Sequence, residues 1–392
     1  MTPNTVAFDE WIRGLFVEYN TRLEGLYSEG DDRAHVVGVG DELKQALVEE
    51  GRQLILPLLQ EGNTDEGFDS GFDLLGNVGM YMAACRRHDI TEPSRESTSP
   101  LKEASALALQ LGASLGVTPR FATSHLSTHN HAVNGVYKRF TNLKAEAFFL
   151  EYNTRGIFAY KRAADALVRI LPLGVSHPVT FDLLEAAKQA LTDVMRFNQA
   201  LFDELDRDAF FYSVRPYYKP FRVGQHEYRG ANAGDFAGIN EIDLLLGLCS
   251  ADNTSYSQLL VDKFLYMMPD DQVRLRDVMR QESLMDEFLE QVAIGSSELV
   301  DKNLQVFLDV CQLHGDAAAQ HHHQLVKKYI EQPSNDLSDA HLKHITASGP
   351  PLEVLLRALE KLCDLRRAAP RDDIASRYTD VQKLKVHLGL TE

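Results

Sequence analysis

Three consecutive histidines, His321 to His323, begin a stretch whose apolar pattern predicts a helix through Ile330. Adjacent residues on a helix point about 100° apart, so the three imidazoles face different directions. Only His322 is followed at helical spacing by residues that are all apolar or aromatic, namely Leu325, Val326, Tyr329 and Ile330. The pattern therefore predicts that His322 alone lies on the stripe of this helix that is buried.

A buried imidazole at His322 has two common uses. It forms hydrogen bonds within a core, or it presents a ring nitrogen to a metal ion or a haem iron. The periodicity leaves both uses open. The three histidines cannot chelate one ion together, because adjacent side chains on a helix diverge.

Composition narrows the class of protein and of partner. The 392-residue chain is 44% hydrophobic, which is typical of a globular protein with material for about two domains. Its formal net charge of −17 argues against nucleic acid or an anionic membrane as partner. No signal peptide or membrane-spanning run is predicted. The four cysteines are far apart in sequence, which is typical of reduced thiols in a cytoplasmic protein.

The chain is predicted to be all-α. Helical periodicity predicts helices at residues 6–28, 41–61, 72–87, 101–115, 144–171, 178–206, 271–294, 295–313 and 352–366. Gly315 predicts a break before the histidine helix. A polar stretch at residues 121–143 either lines a cavity or connects helices at the surface. After Pro119 the sequence changes from clear helical periodicity to this polar stretch. The change predicts a small helical domain at residues 1–118 and a larger one at residues 119–392.

A second informative stretch holds six aromatic residues and two arginines between Phe210 and Arg222. Aromatic faces beside a guanidinium suit a planar aromatic substrate that carries a carboxylate. The same residues also suit a packed core in which arginine stacks on rings. Because a residue before proline favours an extended backbone, we expect the helix that carries Phe210 and Phe211 to end near Arg215, which precedes Pro216.

Both stretches resemble segments of the indoleamine 2,3-dioxygenase superfamily. The run from His322 to Ile330, HHQLVKKYI, is similar to that family's proximal helix, in which the haem-ligand histidine precedes aliphatic residues and Lys-Tyr-Ile. The run from Phe210 to Arg215, FFYSVR, is similar to its distal Phe-Phe-Ser-Val-Leu-Arg segment. The resemblance implies a haem b protein with a small and a large helical domain, the larger of which binds haem. It also implies that His322 is the axial ligand of the iron.

The resemblance further implies roles for the side chains of the distal segment. Phe210 would pack over the substrate ring, with Phe211 beside it, and both are candidate catalytic residues. Arg215, also counted with the catalytic set, would pair with the carboxylate of an amino-acid substrate. Arg222 and Tyr217 of the same stretch are further candidate substrate contacts.

A Gly/Thr-rich loop closes over the haem edge in the resembling dioxygenases, and its position corresponds to residues 346–351. Ser348 and Gly349 are therefore candidate substrate-binding residues. His129, His131 and His314 are additional imidazoles for which the sequence leaves a place in the haem pocket open.

One departure from the dioxygenases concerns their small-residue, serine-rich segment after Phe-Ala-Gly. In this chain Gly238 is followed directly by Ile239-Asn240-Glu241. The pattern of Arg, Pro, Tyr and Gly between residues 215 and 230 is closer to the branch typified by monodechloroaminopyrrolnitrin synthase.

The leading expectation is a haem-dependent oxygenase that acts on tryptophan or a related indole or aromatic amino acid with O2. The alternatives are a pyrrolnitrin-type rearrangement or hydroxylation on the same scaffold, a non-catalytic haem sensor or carrier, and a helical scaffold without haem. The expected partners are a small aromatic substrate and O2, and formation of a homodimer is left open.

Overall fold

The computed structural model describes residues 2–62, 67–231, 234–335 and 352–390. The α-helices of this described part are α1 (Pro3–Arg13), α2 (Leu15–Glu29), α3 (Asp41–Glu61), α4 (Phe68–Arg87), α5 (Lys102–Leu115), α6 (Lys144–Val168), α7 (Pro178–Glu204), α8 (Arg207–Ala209), α9 (Gly238–Leu245), α10 (Thr254–Phe264), α11 (Pro269–Val278), α12 (Leu284–Ile294), α13 (Glu298–Gln320), α14 (Gln332–Asn335), α15 (Leu352–Arg366) and α16 (Tyr378–His387). The predicted all-α class is confirmed.

Shorter elements complete the secondary structure. Three 3₁₀ turns occur at Pro93–Arg95, Thr123–Leu126 and Arg215–Tyr218, and π-helical segments occur at Phe210–Val214 and His321–Glu331. Strands β1 (Phe221–Val223) and β2 (His226–Tyr228) form an antiparallel hairpin that the sequence did not predict. Three residues per strand are too few for an alternating pattern to be recognised.

The chain forms two compact units, each built from three segments. The first unit comprises Met1–Glu151, Leu205–Asp235 and Lys328–Leu352. The second comprises Tyr152–Glu204, Phe236–Lys327 and Glu353–Glu392. This division does not test the predicted boundary after residue 118, which stays a prediction.

The first unit has a core in which α1, α3 and α5 pack on α4. Two glycines of α4 allow the start of the polar stretch, residues 121–125, to lie directly on that helix. A Cβ at Gly79 would come within 2.2 Å of the Phe121 nitrogen, and one at Gly76 within 2.3 Å of the His125 ring. The His125 Nδ1 atom accepts from the Ala122 N–H at 2.8 Å, and its Nε2–H donates to the Phe72 carbonyl at 2.8 Å. This buried histidine therefore anchors the polar stretch on the core.

The second unit is organised by α13, which packs along α7. The break predicted at Gly315 is wrong, because α13 continues through this residue to Gln320. A Cβ at Gly315 would lie 3.0 Å from the Arg366 carbonyl oxygen. The glycine thus allows the end of α15 to approach α13 closely, and it does not end the helix.

Other predicted bounds need smaller corrections. The helix predicted at residues 6–28 is two helices that meet at Gly14, whose φ of −114° and ψ of −100° lie outside the helical region. The region at residues 271–294 is also two helices, α11 and α12. The bounds of α3 agree with the prediction. Within the described part of the chain, no helix has the length and apolar character required to cross a membrane.

Candidate functional site

The histidine stretch is a π-helix over His321–Glu331, and not the α-helix that was predicted. Its burial nevertheless follows the predicted order: His322 is half-buried, whereas His321 and His323 are exposed. Val326 and Tyr329 are buried. Wider helical turns of this kind are frequent at functional sites. The role of His322 as an iron ligand stays a prediction.

His321 has an unusual environment for an exposed residue. Desolvation lowers the pKa of its imidazole to about 4, with a smaller contribution from the positive charge of Arg366. At neutral pH this imidazole is uncharged.

The distal stretch starts with a capped turn. The Asp206 carboxylate accepts from the Ala209 N–H at 2.7 Å, and Phe210–Val214 follows as one π-helical segment. The segment ends at Arg215 as expected, but the predicted extended conformation is wrong, because Arg215 has φ −55° and ψ −36°. Pro216 lies in the first turn of the following 3₁₀ segment, where its missing N–H leaves no hydrogen bond unmade.

Phe210 is a half-buried member of an aromatic group in the first unit. Its ring centroid lies 4.8 Å from that of Phe149 and 5.5 Å from that of Tyr329. The Tyr329 hydroxyl donates to the Leu205 carbonyl at 2.9 Å. Phe211, in contrast, is fully buried. Of the two phenylalanines, Phe210 is therefore the one with surface left for a ligand, and the role of each stays a prediction.

Arg215 is a buried cation. Its side chain is 5% exposed, and its guanidinium lies 5.6 Å from the centroid of the Phe211 ring. Nη1 is buried without a partner, and no described residue pairs with the guanidinium. Burial lowers the pKa of Arg215 to about 10, so the group is still charged at neutral pH. The distal segment therefore holds a positive charge that the described residues do not neutralise.

The other candidate substrate contacts differ from Arg215. Tyr217 is fully buried, its ring stacks at 4.4 Å on Phe140, and its hydroxyl has no partner among the described residues. Arg222 belongs to β1 and donates to the carbonyl oxygens of Gln225, at 2.5 Å, and Pro93, at 3.1 Å. The contacts of Arg222 stabilise the hairpin.

The remaining candidates do not join this group in the described structure. Ser348 and Gly349 lie outside the described residues. The His129 ring stands edge-on to Phe72 at 5.4 Å, and His131 is exposed. His314 is buried in the second unit.

Sequence reasoning missed the network around Asp243 that holds His314. The fully buried Asp243 carboxylate accepts from His314 Nε2 at 2.7 Å, from Arg366 at 2.7 and 2.8 Å, and from the Tyr256 hydroxyl at 2.7 Å. Burial would raise the pKa of Asp243, but the charge of Arg366 and these hydrogen bonds hold it well below its usual range. The signal in the sequence was an aspartate inside the apolar run of α9. The network joins α9, α13 and α15.

A comparison with protein families extends these observations to the whole chain. The family model described as monodechloroaminopyrrolnitrin synthase PrnB matches residues 2–388. The match includes the histidine stretch, the distal stretch and the Asp243 network.

Proposed function

The chain belongs to the monodechloroaminopyrrolnitrin synthase family, and on that basis we propose that it oxidises an amino acid with an indole or related aromatic ring, using O2. Membership makes the protein a haem-iron oxidoreductase of the superfamily that includes the indoleamine 2,3-dioxygenases. It also favours an enzyme over a haem carrier or a haem-free scaffold.

The residues present fit a haem. His322 offers a half-buried imidazole, which is the usual protein ligand of haem iron, and it lies in a π-helical segment. The haem, when bound, supplies the activation of O2, and the protein supplies binding, orientation and exclusion of water. His322 would hold the iron, and Phe210 would pack against the substrate ring.

The proposed class of substrate rests on one observation, the buried and unpaired charge of Arg215. An ion buried without a partner costs several kcal/mol, so a chain that keeps one has a use for it. The adjacent aromatic rings suit the ring of the substrate, and the guanidinium suits its carboxylate in a bidentate contact. An aromatic substrate without a carboxylate would leave the charge of Arg215 unpaired.

A pyrrolnitrin-type rearrangement or hydroxylation is the second candidate, and the description of the matching family supports it. Local sequence supports it as well, since α9 begins at Gly238 where dioxygenases have a serine-rich segment. Mass spectrometry of the product formed under ¹⁸O₂ separates the two reactions. Cleavage of the indole ring by dioxygenation adds two labelled oxygen atoms, whereas a rearrangement does not.

A spectral titration of haem-loaded protein tests the assignment of Arg215. We expect Arg215→Ala to weaken binding of L-tryptophan by about 10- to 100-fold, because a charge-assisted contact is worth roughly 1.5–3 kcal/mol. Binding of 3-methylindole, which lacks the carboxylate, should change by less than about 2-fold, since the contact is absent there.

Arg222, the other candidate for the carboxylate contact, provides the control for this experiment. Arg222→Ala should leave the ratio of the two affinities unchanged, since its donors are bound to carbonyl oxygens of the hairpin region. Equal weakening of both ligands by Arg215→Ala would contradict the assignment. Selective loss in Arg222→Ala alone would move the carboxylate site to that residue.

We also propose a cytoplasmic location. Cys85, Cys249, Cys311 and Cys363 are all buried and unpaired, which is typical of proteins in reducing compartments.

A further inference from the structure

Arg87, the last residue of α4, contacts the backbone of the distal π-helical segment. Its Nη2 atom donates to the Tyr212 carbonyl at 2.9 Å, and Tyr212 is the middle residue of Phe210–Val214. Both partners belong to the first unit. Arg87 is buried, and so is every residue of α4 from Leu74 onward. The donor is therefore carried by a closely packed helix with little room to move.

Arg87 is held in place by contacts of its own. Its Nε and Nη2 atoms donate to the two carboxylate oxygens of Glu24, each at 2.8 Å, and its guanidinium carbon lies 5.0 Å from the centroid of the Tyr27 ring. Glu24 is buried as well. Burial by itself would lower the pKa of Arg87, but the charge of Glu24 and the hydrogen bonds to it raise it. The guanidinium is therefore a charged donor in a fixed position.

The shape of the guanidinium decides which residue type can make these contacts. Nη2 carries two hydrogens, so it can donate to Glu24 and to Tyr212 at the same time while Nε completes the bidentate pair. A lysine amine is a single point of charge and cannot reproduce this planar fork. Lysine at this position would therefore keep the charge and lose the geometry.

The distal segment stops its helical pattern close to this contact. The Arg215 N–H donates to the Phe210 carbonyl and closes the π-helical turn. The next N–H in that pattern would be that of residue 216, which is a proline and has none. Helical turns of this kind are rare and short, and they are frequent at functional sites. Arg87 thus supplies a side-chain donor to the Tyr212 carbonyl in a segment whose own ladder cannot continue.

We propose that Arg87, held by Glu24, is a positioning residue that fixes the distal segment and thereby the spacing between Phe210 and Arg215. This rests on the proposed function and deepens it, because these two side chains are its proposed contacts to the ring and the carboxylate of the substrate. Phe210 lies two residues before Tyr212, and Arg215 lies three residues after it. A ligand that makes both contacts needs both side chains at a fixed spacing, whereas a ligand that makes only the ring contact does not.

Hydrogen exchange in the full-length, haem-loaded protein tests the positioning itself. We expect Arg87→Lys to speed exchange of the amides in residues 210–215 by at least about 10-fold, because local opening of the segment becomes easier. Arg86→Lys is the matched control. Arg86 is buried on the same helix, pairs with Glu92 at 2.9 Å, and donates to a carbonyl outside the segment, that of Pro220, at 3.2 Å. The control should leave exchange within residues 210–215 unchanged.

A spectral titration tests the consequence for the substrate. Arg87→Lys should weaken binding of L-tryptophan by about 10-fold and binding of 3-methylindole by less than about 2-fold. A loss of overall stability alone would not change the ratio of the two affinities, and Arg86→Lys should leave that ratio as it is in wild type.

Glu24→Asp is a second variant that reaches the same contact from the other side. It keeps the charge but shortens the side chain by one methylene, so Arg87 either loses the bidentate pair or follows the carboxylate away from Tyr212. Exchange within residues 210–215 and the affinity ratio should change in the same direction as in Arg87→Lys, by about 3-fold. If Arg87→Lys does not fold, this variant decides by the same two measurements.

The proposal is overturned if exchange within residues 210–215 is as slow in Arg87→Lys and Glu24→Asp as in Arg86→Lys. It is also overturned if neither variant changes the ratio of the two affinities while Arg215→Ala does. The proposed function fails separately, when Arg215→Ala shows no selectivity for L-tryptophan over 3-methylindole. Hydrogen exchange alone then decides whether Arg87 fixes the segment.

Discussion

Arg215 in the first unit and the Asp243 network in the second differ in how their buried charge is paired. In the second unit, the Asp243 carboxylate is met by Arg366, His314 and Tyr256, all within hydrogen-bonding distance. In the first unit, Arg215 is also buried, but its guanidinium has no carboxylate partner among the described residues. A saturated network holds helices together, whereas an unpaired buried cation costs stability. The Asp243 network thus stabilises the fold, whereas the unpaired charge of Arg215 is what supports its proposed role in binding a carboxylate.

The largest effect is expected for Asp243→Asn. The change leaves Arg366 without its anion in the interior, and breaking such a pair costs about 3–5 kcal/mol of unfolding free energy. Chemical denaturation measures it. Asp309→Asn is the control, because Asp309 pairs with Lys188 at 2.8 Å where both side chains are more than a third exposed. Its loss should cost at most about 1 kcal/mol. Equal losses of unfolding free energy in the two variants would contradict the distinction between the buried Asp243 network and an exposed ion pair.

A smaller change in stability is expected when the pH is lowered and Asp243 becomes protonated. Because the pKa of Asp243 is lower in the folded protein than its unfolded value of about 3.9, its contribution to stability is full above that pH. The contribution is lost as the pH falls below about 4 towards the folded value, by up to about 1.4 kcal/mol per pH unit. The difference in unfolding free energy between wild type and Asp243→Asn should therefore shrink below pH 4. A constant difference would mean that the carboxylate charge is not what stabilises the network.

Sequence periodicity was sufficient for the fold class and for most helices, because burying one face of a helix leaves a repeat that can be read directly. Periodicity failed at a residue type that can serve two structural purposes, because a glycine either ends a helix or makes room for a neighbouring one. Gly315 was interpreted as a break, although in the structure it provides room for α15 against α13. Contacts between elements far apart in sequence decide such cases.

The candidate site was likewise predictable only in part from the sequence. The distal and proximal stretches were recognisable from their residue types, but their π-helical geometry was not, because apolar spacing in 321–331 is compatible with an α-helix. The absence of a partner for Arg215 depends on which residues from distant parts of the sequence pack around it, and residue types alone do not give that.

The account depends most on haem bound through His322, and the Soret absorption of three purified variants tests this directly. We expect His322→Ala to lose the Soret band of the haem-loaded protein and to recover it in part when imidazole is added. His321→Ala and His323→Ala should retain the wild-type spectrum, because their side chains are the more exposed members of the trio. An unchanged band in His322→Ala together with a lost band in His321→Ala would contradict the account.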